Sequence, residues 1–170
     1  MAVTHKLIQT VSVTAGAGQA SIEFTSIPQT YTDLLLLVSF RTSYAAVSDD
    51  MSLFFNNVTT NRTARFVYGT GSSALSTVVN DDGAFVVSDT ATANVFGNGS
   101  IYIANYTSAN FKPFSTDFVG ENNATTAYQT FLTGLWSSTS PITSIQIPTA
   151  GGRGVFKQYS SASLYGISKS

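Results

Sequence analysis

Cysteine is absent from this 170-residue chain, so neither disulfides nor thiolate metal sites can contribute, and stability has to come from packing and from partners. Histidine occurs once, as His5, which excludes a three-histidine metal site and leaves nothing to complete a Ser-His-Asp triad. No Gly-x-Ser-x-Gly elbow is present either. Charge is scarce: Asp, Glu, Lys and Arg make up 10% of the chain, against about 25% in an average domain. With a net charge of −1 and its Lys and Arg scattered singly, the sequence offers no basic stripe for phosphates or anionic lipid, so neither nucleic acid nor a membrane is expected as a partner. The longest apolar run, Leu34 to Val38, falls far short of the roughly 20 residues a helix needs to cross a bilayer. Met1 to Thr14 lacks the continuous apolar stretch and small-residue cleavage site of a signal peptide, and reads as an extended first strand over residues 1–14.

What is abundant is hydroxyl. Ser and Thr fill 46 of the 170 positions and Asn another ten. A polar surface with so few charges has little mutual repulsion, which suits a subunit that covers part of itself in an assembly. Five Asn-x-Ser/Thr sequons, at Asn57, Asn61, Asn98, Asn105 and Asn123, follow from this composition by chance and carry no weight.

Apolar residues alternate with period two through nearly every segment, in company with Val, Ile, Thr, Phe and Tyr, so strands are expected and helices are not. Lys6–Val13 ends at the Gly16-Ala17-Gly18 turn. Ala20–Ser26 is stopped by Pro28. Asp33–Thr42, apolar on both faces through its five central residues, predicts a central strand covered on both sides. Met51–Asn56 and Thr63–Tyr68, joined by an Asn- and Thr-rich turn, read as a hairpin. Residues 69–99 form a long, partly ordered excursion in which only Leu75–Val79 and Ala84–Val87 resemble strands, a candidate contact arm. Ser100–Tyr106, Phe114–Gly120, Ala127–Trp136, Ile142–Ile147, Gly154–Tyr159 and Ser163–Ile167 follow, which makes about ten strands apart from the two weak segments of the excursion. The expectation is one all-β domain over residues 1–170, an antiparallel double-sheet sandwich, with a jelly roll as the first choice of topology and an immunoglobulin-like sandwich as the second.

Carboxylates are the remaining source of chemistry. Asp81-Asp82-Gly83 has turn composition, because Asp bonds its own backbone and Gly accepts positive φ. A loop calcium site at Asp49-Asp50 or Asp81-Asp82 has no Asp-x-Asp-x-Asp pattern behind it. Asp117 and Glu121, four apart on one strand, would stand roughly 13 Å apart, too far for a paired-carboxylate glycosidase. No catalytic residue, metal or cofactor is expected, and the chain reads as a non-enzyme. Most of the twelve Phe and eight Tyr alternate as core residues do. Tyr44, Tyr68, Tyr106, Tyr128 and Tyr159 are the candidates for an exposed sugar-stacking or interface role. The Gly151-Gly152-Arg153-Gly154 loop lacks the Lys-Ser/Thr of a phosphate loop and reads as a turn with Arg153 free to reach a partner.

Several blocks together resemble a group of tailed-bacteriophage virion structural proteins: Ile27-Pro28-Gln29-Thr30-Tyr31-Thr32-Asp33-Leu34, Ile101-Tyr102-Ile103-Ala104-Asn105-Tyr106, Glu121-Asn122-Asn123-Ala124, Gly134-Leu135-Trp136-Ser137-Ser138 and Ser163-Leu164-Tyr165-Gly166-Ile167. The resemblance spans most of the chain, and the order of the blocks is more specific than any one of them. It implies a component of the phage particle, of the jelly-roll type used by cement proteins, and does not itself say which part of the particle. The expected role is a decoration protein on the capsid surface, with the phage major capsid protein and further copies of itself as partners. The expected assembly is a homo-oligomer, for which a trimer at threefold positions would suit the shell. No residue roles come with the resemblance. The contact residues expected from the sequence are Thr4, His5, Leu7 and Gln9 on the first strand, with Tyr106, Arg153 and Tyr159. A tail-fibre or baseplate domain binding host glycans is the alternative.

Overall fold

The structure, a computed structural model, describes residues 5–79, 84–121 and 127–168. Thirteen strands and one 3-10 turn, Ala150–Gly152, follow one another without an α-helix among the described residues. The strands are β1 His5–Ser12, β2 Ser21–Phe24, β3 Asp33–Phe40, β4 Ser48–Asp50, β5 Phe54–Phe55, β6 Arg62–Gly69, β7 Ala74–Val79, β8 Phe85–Val87, β9 Gly97–Ile103, β10 Lys112–Glu121, β11 Ala127–Trp136, β12 Ile145–Pro148 and β13 Ser161–Ile167.

Period-two patterning sets which side of each strand is buried. Eight strands form one antiparallel sheet in the order β1-β13-β3-β9-β10-β11-β6-β7. Its inner face carries Leu34, Leu36, Val38 and Phe40 from β3, Ile101 and Ile103 from β9, Phe114 and Phe118 from β10, Leu132 and Trp136 from β11, and Leu164 from β13, all buried. Against it lies a second layer made of β2-β12-β5 and the short pair β4-β8. That layer contributes Ile22, Phe24, Phe55, Ile145, Ile147 and Val86 to the same core. The chain is therefore an all-β sandwich of antiparallel sheets. The layers are unequal, eight strands against three and two.

Local chemistry explains the packing at two points. Phe55 meets Phe114 edge-on at 5.4 Å and tilts against Trp136 at 5.6 Å, so one aromatic cluster joins the layers. Gly134 lies opposite Phe114 in the β10–β11 register, and a Cβ there would come within 2.1 Å of the Phe114 ring. The ring occupies the space a side chain would need.

Three expectations require correction. Met51–Asn56 and Thr63–Tyr68 are not a hairpin. β5 pairs with β12, whereas β6 pairs with β11 and β7, and the turn between them carries the chain from one layer to the other. Asn56, Asn57 and Asn61 all adopt positive φ there, which Asn tolerates better than other side-chain-bearing residues. The central strand β3 is covered on one face only, since Leu37 is 46% exposed. The 69–99 excursion is not a free arm as a whole: Ala84, Val86, Val87, Ser88 and Ala91 are buried, and β8 lies against β10.

Candidate functional site: the open sheet face and the Tyr159 cleft

The outer face of the eight-stranded sheet has no layer upon it among the described residues. Cross-strand register places its side chains in rows. One row runs Leu7, Tyr165, Leu35, Tyr102, Ser115, Thr133, Arg65. The next runs Thr10, Ser163, Leu37, Ser100, Asp117, Phe131, Val67, Ser76. A third runs from Ser12 through Ser161, Ser39 and Asn98 to Val119 and Gln129. Leu7, Leu37, Val67, Tyr102, Val119 and Phe131 are each more than a third exposed on this face. Between them stand hydroxyls, and the charged side chains within these rows are Arg65 and Asp117, with Asp33 at one end of the face and Glu121 at the end of β10. Asp33 accepts a 2.7 Å hydrogen bond from the Tyr102 hydroxyl and a 2.8 Å bond from the Asn105 amide. That carboxylate raises the Tyr102 pKa above its ordinary value, chiefly by accepting the phenol proton in the hydrogen bond. A shallow depression of about 220 Å³ sits over Gly99, lined by Leu37, Ser100, Asp117 and Val119.

At the end of the sandwich where β1 gives way to Val13, a cleft of about 610 Å³ opens between the 89–96 loop and the Lys157–Tyr159 turn. Arg41, 4% exposed, braces the loop. Its guanidinium donates to the carbonyls of Thr92 at 2.7 Å, Val95 at 2.8 Å, Asp89 at 3.2 Å and Ala91 at 3.2 Å. Lys157 pairs with the Asp89 carboxylate across the mouth. Tyr159 is 74% exposed and holds φ at +75°, a conformation costly for an aromatic residue. Its amide donates to the Val13 carbonyl at 2.8 Å, which fixes the turn while the ring points to solvent.

Placed on this frame, the sequence-derived contact residues separate. Thr4 lies outside the described residues, as do the Asp81-Asp82-Gly83 turn and Asn122 to Ala124. His5, Leu7 and Gln9 are exposed on β1, at one edge of the large sheet, with a bulge between Leu7 and Gln9. Tyr159 belongs to the cleft. Tyr106 is corrected: it is fully buried, and its hydroxyl donates to the Pro28 carbonyl. Burial raises its pKa. Arg153 is corrected as well. It is not free, because it donates to Asp49 Oδ1 at 3.0 Å and Asp50 Oδ2 at 2.9 Å and lies over the Tyr44 ring at 4.8 Å. Asp49 and Asp50 are strand residues of β4, and burial pushes the Asp49 carboxyl up against the opposing pull of the Thr42 hydroxyl, the Asp50 amide and Arg153. Tyr44, Tyr68 and Tyr128 are half-buried.

Sequence reasoning missed Arg41 and Lys112. Both are buried cations that close loops by donating to carbonyls, Lys112 to Ser138 at 3.1 Å and Ser140 at 2.6 Å, and burial lowers the Lys112 pKa. The available signal was their position directly beside apolar strand residues. Asp117 and Glu121 have different surroundings. Glu121 accepts from the Thr92 amide at 2.7 Å and the Thr92 hydroxyl at 2.9 Å, whereas Asp117 stands on the open face. No group of three or more His, Asp or Glu side chains that could hold a metal occurs among the described residues. No described helix is long and apolar enough to cross a membrane.

No family model matches the chain, and no curated protein matches it. Among solved structures it is similar to a protein of unknown function from Shewanella oneidensis MR-1, at 11% identity and a TM-score of 0.34, over 98% of this chain and 77% of that one. At that distance the likeness carries no argument about function.

Proposed function

We propose that this protein is a structural component of a tailed-bacteriophage virion, a decoration or cement protein that binds the major capsid protein and stabilises the shell. The observation that carries the reading is the outer face of the eight-stranded sheet. Six large apolar side chains stand more than a third exposed there, among hydroxyls and with little charge. Such a face gains from being covered and has few ions to desolvate on contact. The block resemblance to virion proteins supports the same reading. So does the scarcity of catalytic groups in the sequence. The mechanism is mechanical: many weak contacts, multiplied by shell symmetry, resist internal pressure through avidity without one tight site.

The test is co-sedimentation with expanded shells stripped of this protein, followed by cryo-electron microscopy. Saturable binding across the lattice is expected, with Leu37→Ser/Phe131→Ser losing it while melting normally. Density confined to the tail would refute the reading.

One observation favours a second reading, a tail domain that binds host glycans. The cleft presents an exposed Tyr159 ring beside Asn94, Gln158 and the Lys157–Asp89 pair, a stacking surface with polar groups at its rim. Glycan-array binding lost in Tyr159→Ala would favour it over the capsid.

A further inference from the structure

The two edges of the large sheet are built differently. β1 carries Lys6 and a bulge between Leu7 and Gln9, both devices that discourage another strand from pairing there. β7, the opposite edge, has neither. Its sequence is Ala-Leu-Ser-Thr-Val-Val, without charge, Pro or Gly, and its register with β6 is unbroken from Ala64–Val79 to Gly69–Ala74. This is the composition of a strand that adds readily to another strand.

The β6–β7 turn fixes which backbone groups face outward. Gly71, at φ +87°, allows the tight two-residue connection, and the Thr70 amide donates to the Ser73 carbonyl at 3.0 Å. Counting from that hydrogen-bonded pair, antiparallel alternation directs the N–H and C=O of Leu75, Thr77 and Val79 toward β6. Those of Ala74, Ser76 and Val78 point to the open edge, where no strand lies beside them among the described residues. Ala74 to Thr77 are exposed along the strand. Leu75 shares the inner side of the sheet with its partner Tyr68 and with buried Phe66, yet stays 46% exposed.

We infer that β7 is a self-association edge, pairing antiparallel with β7 of a second copy about a twofold axis at Ser76. In this register Ser76 faces Ser76, and Ala74 faces Val78 on either side of it. Each outward-facing residue then exchanges a reciprocal pair of N–H···O bonds with the other copy. Leu75 of one copy faces Thr77 of the other and lies diagonal to the second Leu75, so two half-exposed leucines cover one another. With no charge on the strand, nothing in it repels its own copy. The contact is isologous and closes as a dimer, and the two eight-stranded sheets become one continuous sheet. It differs from the threefold assembly that shell symmetry alone would suggest. The inference goes beyond the virion reading and does not depend on it, because it is tested on the purified chain without any shell, so either can fail alone.

The experiment is sedimentation equilibrium across a wide concentration range on the full chain and on two edge variants. The wild type is expected to reach twice the monomer mass. Ser76→Pro removes an amide that faces away from β6, so the hairpin survives while the outward ladder is broken, and a monomer with an unchanged melting temperature is expected. Should that variant fold poorly, Ser76→Lys sets two ammonium groups face to face across the axis and is likewise expected to be monomeric. A wild type that stays monomeric throughout overturns the inference, as does a folded Ser76→Pro or Ser76→Lys protein that remains dimeric.

Discussion

Replacing Arg41 by Met is the sharpest test of how the Tyr159 cleft is held. Methionine keeps most of the buried stem, so the change isolates the guanidinium. Four carbonyls, of Asp89, Ala91, Thr92 and Val95, lose their donor together. Hydrogen bonds to a charged group contribute about 1.5–3 kcal/mol each, which sets a gross ceiling of about 6–12 kcal/mol. The net loss is smaller, because the loop lies at the surface and its carbonyls regain water when it lifts, and because a buried cation no longer has to be desolvated. A destabilisation of about 3–5 kcal/mol is therefore expected if the loop opens only with global unfolding, and a smaller one if it detaches alone. Urea unfolding followed through Trp136, the single tryptophan and 1% exposed, reads the global term. Amide hydrogen exchange over residues 89–96 reads the local one. An Arg41→Met protein within about 0.5 kcal/mol of wild type, with those amides still protected, would refute the bracing role.

Two further outcomes follow from the same physics. Asp49 has a folded-state pKa raised above its ordinary 3.8, with burial the largest cause, so the folded state holds the proton more tightly than the unfolded state does. Stability supplied by that proton is present at low pH and is lost as pH rises through the raised value. Relative to Asp49→Asn, the wild type should therefore gain stability on acidification from neutral pH to about pH 4, measured by urea midpoints at each pH; a relative loss would mean that the Arg153 pair outweighs burial. Tyr159→Gly should raise stability by about 1 kcal/mol, since glycine accepts φ of +75° without strain and a ring 74% exposed loses little packing. A lower melting temperature would show that the ring is held by contacts and not merely tolerated.

Alternation alone determined that this chain forms strands and which side of most of them is buried: Phe114, Thr116 and Phe118 face inward and Ser115, Asp117 and Val119 outward, as the two-residue period requires. Cysteine and histidine counts bounded the chemistry in the same local way. Partnership between distant strands was not legible, because period two says which face a residue takes and nothing about which strand lies beside it. Hence β5 and β6, neighbours in sequence, lie in different layers, and the continuous apolar run of β3 meets a covering layer on one side only. Tyr106 and Arg153 show the same limit at single residues. A tyrosine in a strand-end turn and an arginine in a glycine loop look exposed in sequence; the Pro28 carbonyl that takes the hydroxyl of the one and the Asp49–Asp50 pair that binds the other lie 78 and 103–104 positions away. The open outer face, the Arg41 brace and the unguarded β7 edge are likewise products of tertiary structure, because each is defined by what, among the described residues, packs or does not pack against positions far apart in the chain.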